Sequence, residues 1–482
     1  MYKQSESSTR GMARLVLTLS FLTVWCVASP KAHAGGLYFF DRGARALGRG
    51  GAFIAGADDP SALWYNPAGL FYSKNQMVAD AVLPTLLADF TREMPNGEYA
   101  PKLTAKPTPI PIPTLAFSNS LGSRRVVYGA GIIAPNVLLM NWEQSVGPSR
   151  EPSPARYSLL ELKGTVLSNL SAGLAWELFD GLILGADLQV PIGYFRAKTA
   201  LSACDAVLCS FSEQKDFDAY ATVKTVPTYG VSVVLGAILD LDIVRFGFSM
   251  MTPYTLRGVG NVRIKMPTNP LFENAYQSGS KVHLGIKFPT ILRWGSELRL
   301  VKWLRLEGAV VWEQWSRQKT IDIDTGSGVA LNNVTGLGNY QVGNIHLQRN
   351  MRNIWSIRGG FEATFPRRWV GNIDFGMRGG LAWEKGAFAN KDLTPLTIDT
   401  NKTIISGGFT FGLLKWLRFD TVGGLVFMPN LNVTNSEIRQ PQAIRPPLKV
   451  FPSVIGNGHY AQAAFFLGGG FRVMTDFKSG WR

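Results

Sequence analysis

From Gln76 onward the chain falls into fourteen strand-like segments, and the connections between them alternate between very short and very long. The segments read 76–91, 111–122, 125–137, 164–179, 182–198, 217–240, 244–263, 281–300, 304–322, 352–366, 370–387, 402–414, 417–433 and 459–473. Short connections follow the even segments, as at Gly122-Ser123-Arg124, Asp180-Gly181, Leu241-Asp242 and Lys302-Trp303. Long ones follow the odd segments, as at 136–163, 326–351 and 434–458. A single-chain barrel with both termini in the periplasm needs an even strand number, tight periplasmic turns and longer extracellular loops. The pattern predicts an all-β fold, a fourteen-stranded antiparallel transmembrane β-barrel of the bacterial outer membrane.

Within the segments apolar and polar residues alternate with period two. In 370–387, Ile373, Phe375, Met377, Leu381 and Trp383 oppose Asn372, Asp374, Arg378 and Glu384. Trp355, Ile357, Phe361 and Phe365 oppose Ser356, Arg358, Glu362 and Thr364, and Leu304, Leu306, Val310 and Trp312 oppose Arg305, Glu307 and Glu313. A soluble sandwich would turn the apolar face inward, whereas a barrel in lipid turns it outward and keeps the ionisable face in the lumen. Alternation alone does not choose between them. Composition favours the barrel: 46% hydrophobic residues, 51 Gly and 13 Trp, with only 17% charged residues. No later segment offers 18 uninterrupted apolar residues, so helical membrane spans are not expected.

The first 34 residues read as a secretory signal. Lys3, Arg10 and Arg14 precede an apolar run from Leu15 to Ala28, and Ala32-His33-Ala34 supplies a cleavage site. Residues 35–75 are expected to form a plug, 76–473 the barrel and 474–482 a short tail, unless the last strand runs on to Phe477. A bare lumen of fourteen strands would be a wide, wet pore. The stretch Gly43–Leu70 is too rich in Gly and Ala to be a strand, and its small residues can lie close against barrel side chains. Asp58 and Asp59 can pair with inward-facing arginines, and Pro60 and Pro67 stiffen the path.

Catalytic chemistry is not expected. His283, His346 and His459 are isolated and lack metal-ligand spacing, so neither a metal nor a cofactor is called for. Gly48-Arg49-Gly50-Gly51 has no preceding strand and no following Lys-Ser/Thr, so it does not read as a phosphate loop. Cys204 and Cys209 fall in one long connection, where a loop-closing disulfide is expected in an oxidising compartment. The formal charge of +15 points to anionic partners, either lipopolysaccharide phosphates or an anionic substrate. Nucleic acid is excluded because no basic cluster with interleaved aromatics occurs.

The segment Gly43–Leu70 resembles the N-terminal hatch of the FadL family, outer-membrane channels for long-chain fatty acids and related hydrocarbons. That hatch carries an Asn-Pro-Ala element, here Asn66-Pro67-Ala68. Lys287-Phe288-Pro289-Thr290 leading into Trp294-Gly295, then Trp312-Glu313-Gln314-Trp315-Ser316, is similar to the family's central strand pair, and Pro395-Leu396-Thr397-Ile398-Asp399 to another recurrent element. The resemblance implies a monomer that passes hydrophobic molecules without energy coupling. Ligand would land on an extracellular groove, move to a lumen site beside the hatch and leave sideways through a gap at strand 3.

Counterparts for each step can be named. Leu138, Leu139, Met140, Trp142, Leu159 and Leu160 are candidates for the capture groove, with Pro270, Leu271 and Phe272 a second; alternatively these residues pack on one another to cap the barrel. Gly129, Gly131 and Pro135 mark the candidate gap, since Gly weakens a ladder and Pro removes a donor. Arg299, Arg358 and Arg378 could bind a carboxylate in the lumen, or pair with Glu307, Glu362 and Asp374. Long-chain fatty acids are the expected substrates; neutral aromatic hydrocarbons are the alternative, and a general diffusion porin is a third reading.

Overall fold

All fourteen expected segments form strands, and each hydrogen-bonds to the strands before and after it. They are β1 (Gln76–Arg92), β2 (Ile112–Asn119), β3 (Val126–Asn141), β4 (Glu161–Phe179), β5 (Leu182–Tyr194), β6 (Ser232–Leu241) and β7 (Val244–Met251). The second half contributes β8 (Ile291–Val301), β9 (Leu304–Glu313), β10 (Ile354–Phe365), β11 (Asp374–Glu384), β12 (Lys402–Gly412), β13 (Leu417–Phe427) and β14 (Gly458–Met474). The last strand closes on the first along their whole length, from Gln76↔Met474 to Arg92↔Gly458, and an even strand number makes that closing pair antiparallel. The computed structural model describes residues 41–106, 110–204, 209, 211–326, 328–336, 338–365, 373–412, 414–441 and 452–474. The expected signal peptide and the residues after Met474 lie outside the described residues.

The direction of the two faces separates barrel from sandwich. Leu381, Ile405, Leu425 and Leu467 are exposed, while Arg358, Glu362, Asp374, Arg378, Glu384 and Asp420 are buried. In water this arrangement would be absurd; around a lumen in lipid it is what solvation demands. At the end that carries the short turns, Trp303, Phe365, Phe375 and Phe409 stack in succession at 5.9–6.1 Å. That ring matches an interfacial girdle of aromatics.

Six segments expected to run unbroken are interrupted: 182–198 at Phe195, 417–433 at 428–430, and four others. The wall continues on the extracellular side as Asp218–Thr225, Tyr254–Lys265, Lys281–Phe288 and Thr320–Asp324, each set off by a break. Pro227, Pro253 and Pro289 stand at three of the breaks, where a missing N–H ends the ladder. The fourth holds a short 3₁₀ turn, Trp315–Arg317.

Residues 41–75 form no strand. They fold into three short helices, α1 (Ala44–Gly48), α2 (Ala62–Tyr65) and α3 (Leu70–Ser73), with a 3₁₀ turn at Pro67–Gly69. Almost every residue from Asp41 to Leu70 is buried. None of these helices could stand alone in water, being far below the length at which isolated helices persist. Their order comes from packing against inward-facing wall residues.

Candidate functional site

Asn66 organises the centre of this N-terminal segment. Its Oδ1 accepts from Ala68 N–H at 3.2 Å and caps the 3₁₀ turn, while its Nδ2 donates to the carbonyls of Ile54 at 3.0 Å and Ala237 of β6 at 3.1 Å. The turn lies directly against the wall, where β5 and β6 have glycine. A Cβ on Gly236 would stand 2.0 Å from Asn66 Oδ1, and one on Gly185 would stand 2.2 Å from Ala68 N. Close approach of backbone to wall thus requires both glycines. Ser249 Oγ on β7 adds a bond to Tyr65 O at 2.5 Å.

Around this turn runs a ring of charge. Glu307 on β9 accepts from the backbone N–H groups of Ile54, Ala55 and Gly56 at 2.6, 2.8 and 3.1 Å. Arg45 grips Glu362 on β10 with two parallel bonds of 2.8 Å, the fork geometry that suits guanidinium and carboxylate. Arg49 reaches Glu307 at 2.9 Å and Glu297 at 3.2 Å. Asp58 pairs with Arg45 at 2.5 Å and with Arg305 of β9 at 2.8 Å; Arg305 also bonds Glu362. Burial alone would raise the Asp58 carboxyl, but Arg305 and Arg45 outweigh it and hold it below the usual carboxylate range. Asp59 lies 3.3 Å from Arg45 and otherwise serves its own turn, accepting from Ser61 N and Oγ.

The three lumen arginines named from sequence are all held by the protein's own acids. Arg358 bonds Asp41 at 2.5 Å. Arg378 bonds Asp420 at 3.1 Å, Thr410 Oγ1 at 2.7 Å and two carbonyls. Arg299 pairs with Asp240. Their acids are thus Asp41, Asp420 and Asp240; Glu362 stands 4.0 Å from Arg378, and Glu307 turns mainly to the N-terminal segment.

Arg349 is different, and no strand pattern pointed to it. It follows the extracellular strand Ile345–Gln348, is 1% exposed, and neither its Nε nor its Nη1 has a hydrogen-bond partner. Its guanidinium carbon lies 5.2 Å from the Phe388 ring centroid. Burial pushes the group down to about 10 against the opposing charge of Asp399, so it stays protonated at neutral pH. Asp399 itself is committed to Lys402 at 3.2 Å, and burial drives its carboxyl well up despite that lysine.

Phe388 and Met351 belong to one buried apolar cluster that extends to Trp64 and Leu63 of α2 and to Trp142, Leu159 and Leu162 under the loops. Trp142, Leu159 and Leu160 are therefore covered, not spread on an open groove. The reason is a loop that folds over them: Trp142 Nε1 donates to Pro395 O at 3.2 Å and Ser158 Oγ accepts from Leu396 N at 3.1 Å. Phe272 is likewise buried. The side chains of Leu138, Leu139 and Met140 lie outside the described residues.

At strand 3, the ladder with β2 runs from Asn119↔Tyr128 to Thr114↔Ile133 and includes Gly129 and Gly131. Beyond Ile133, the pairings of β3 among the described residues are with β4, with irregularities between Ile133 and Asn136 and between Leu138 and Met140. Pro135 stands in the first of these. Farther along, Lys106 bridges to Asn141. Cys204 and Cys209 are joined in a disulfide with Cα atoms 5.5 Å apart. Among the described residues no group of three His, Cys, Asp or Glu is placed to hold a metal ion.

Solved structures share this architecture. A Pseudomonas aeruginosa FadL homologue superposes with a TM-score of 0.67 at 14% identity, covering 91% of this chain and 100% of its own. The Ralstonia pickettii toluene transporter TbuX gives 0.58 at 14% identity, with 90% and 98% covered. The Pseudomonas putida toluene transporter TodX gives 0.61 at 12% identity, with 91% and 99% covered. At such identities the likeness is one of fold. No curated protein matches the chain in sequence. The family model for outer membrane protein transport proteins (OMPP1/FadL/TodX) matches residues 25–450. The chain belongs to that family of outer-membrane transport proteins.

Proposed function

We propose that this barrel takes up long-chain fatty acids passively, with residues 35–75 acting as a movable hatch. The observation that carries the reading is Arg349, a buried guanidinium with unpartnered donors at the edge of an apolar cluster. Burying such a group without a partner is costly, and a carboxylate would satisfy it with charge-assisted hydrogen bonds. The hydrocarbon chain would then lie along the cluster toward Trp64. Trp142, Leu159 and Leu160 serve as the wall of this site, below the surface where ligand first lands. Arg358, anchored to Asp41, holds the hatch and is a less apt headgroup ligand; the same applies to Arg299 and Arg378, which already have acids. Release follows displacement of the hatch and passes through the β2–β3 seam beyond Thr114↔Ile133, beside the irregular stretch of β3 that holds Pro135. The route lies within one chain, whose last strand closes on its first, so this reading takes the protein as a monomer.

Uptake of radiolabelled oleate and of toluene by cells lacking their own channel tests this. Arg349→Met, with surface expression checked, should lower oleate uptake on the order of 10-fold, the worth of one charge-assisted hydrogen bond. Toluene uptake should not change, and thermal stability should hold or rise because an unpaired buried charge is gone. Undiminished oleate uptake in this variant would overturn the carboxylate reading. The second reading, neutral aromatic hydrocarbons, draws on the pairing of Arg299, Arg358 and Arg378 and on the likeness to toluene transporters. Toluene uptake without oleate uptake would establish it. Steady ion conductance with neither would leave a porin.

A further inference from the structure

On the extracellular extensions of β6, β7 and β8 the outward face changes character abruptly. Below the breaks that face carries Leu235, Phe246, Phe248 and Trp294, all exposed. Above them it carries Lys224, Arg257, Arg263, Lys265, Lys281 and Lys287, also all exposed. The register spreads them over three adjacent strands in two groups: Lys224 and Lys281 flank Asn261, next to Arg263 and Lys265, while Arg257 lies opposite Gly285, two positions from Lys287. Among the described residues none of the six forms an ion pair. Some exposed cations elsewhere are matched, as Lys102 is with Asp89 at 3.2 Å and Arg196 with Glu161 at 3.4 Å. Six like charges so placed repel one another, and the two acids on this face, Asp322 and Asp324, offset only part of that excess, which an outside anion would relieve.

The same face holds a groove of about 470 Å³, lined by Val226, Tyr229, Arg257, Val259 and His283, with Asp322 and Asp324 on its far side. Asp322 is occupied by His346 at 2.8 Å. An aromatic ring, two valines and an arginine at the upper edge of a lipid-facing band suit an amphiphile whose polar part is a phosphorylated sugar. Cations placed just outside a membrane-spanning segment read lipid phosphate in the same way.

We propose that this face is a docking site for lipopolysaccharide of the outer leaflet, with one lipid A phosphate on Arg257 and Lys287, the second toward Lys281, and the adjoining sugar over Tyr229, which stands opposite Arg257. The site is separate from the lumen, and it rests on the outer-membrane location and not on the identity of the transported substrate. Arg263, Lys265 and Lys224 continue the field outward, where further phosphates of the same molecule would lie.

The test uses full-length protein in detergent, stripped of lipid, with bisphosphorylated lipid A as the probe and native mass spectrometry and thermal shift as readouts. Wild-type protein should bind lipid A, and enzymatically dephosphorylated lipid A should bind far more weakly. A triple substitution, Arg257→Gln with Lys281→Gln and Lys287→Gln, should weaken binding on the order of 100-fold, as expected for three membrane-proximal cations. Lys102→Gln should have no effect. Equal binding of phosphorylated and dephosphorylated lipid would overturn the proposal without recourse to any variant. So would unchanged binding in the triple variant, or displacement of lipid A by inorganic phosphate alone, which would mark a general anion patch. Oleate uptake by the triple variant should remain intact, which keeps this result independent of the transport reading.

Discussion

Glu362 accepts both forks of Arg45 and a further bond from Arg305, so Glu362→Gln would leave two buried guanidinium groups short of charge. Breaking one side of a buried pair destabilises by about 3–5 kcal/mol, enough to unseat a short segment that has no other means of order. The expected outcome is frequent opening events in planar-bilayer recordings where wild-type protein is quiet; an unchanged trace would mean the other contacts suffice. Gly236→Val should act from the wall side, since even a methyl there meets Asn66 Oδ1 at 2.0 Å. Overpacking of this kind costs about 1–3 kcal/mol, and protease should then cut within 43–70 faster than in wild type. The lock should also resist mild acid. Asp58 has a carboxyl lowered by its arginines, so its contribution is present above the unfolded value near 4 and fades only as pH falls through the lower folded value. Conductance should stay low at pH 5 and rise only below about 4. Opening already at pH 5 would show that another group governs the lock.

At the scale of elements, proline explains most of what the strand pattern concealed. Period-two alternation continues across Pro227, Pro253 and Pro289, so the sequence reads one strand where the structure has two. The apolar spacing reports the face of the wall, while the ladder depends on N–H groups that proline lacks. Pro135 is the case that bears on the proposed route. Pro135→Val would supply a donor at the irregular part of β3 and favour continued pairing toward β2. Oleate uptake is expected to fall severalfold while the folded fraction is unchanged. Normal uptake would remove the β2–β3 seam from the proposed route.

For the whole molecule, closure is the source of stability. Each of the fourteen strands has two partners over most of its length, so local opening there must break ladders on both sides. Unheated protein should migrate as a compact band in dodecyl sulfate gels and shift on boiling. Deletion of 43–70 should leave that behaviour, since the wall's ladders involve none of those residues. The same deletion should convert the quiet barrel into a conducting one. A deletion that fails to fold would mean the segment is needed to assemble the wall and not only to fill it.

Strand number, turn placement and the small-residue character of 43–70 are legible in the sequence because each depends on neighbours a few residues apart. Alternation and turn chemistry are local, and Asn66-Pro67-Ala68 announces its turn within three residues. Tertiary structure alone decided which face met lipid, since the pattern of Ile373 to Glu384 is the same for a sandwich and for a barrel. It also decided which acid each arginine meets. Arg45 and Glu362 are 317 positions apart, and Arg49 and Glu307 are 258 apart, so their pairing exists only after closure. Arg358 and Arg378 looked available in the strand pattern because Asp41 and Asp420 lie on other elements of the chain. Arg349 went unnoticed because it sits between strands, where no periodicity marks a side chain as inward-facing. Its isolation is a property of the space around it, and only a closed barrel with loops folded over its mouth creates that space.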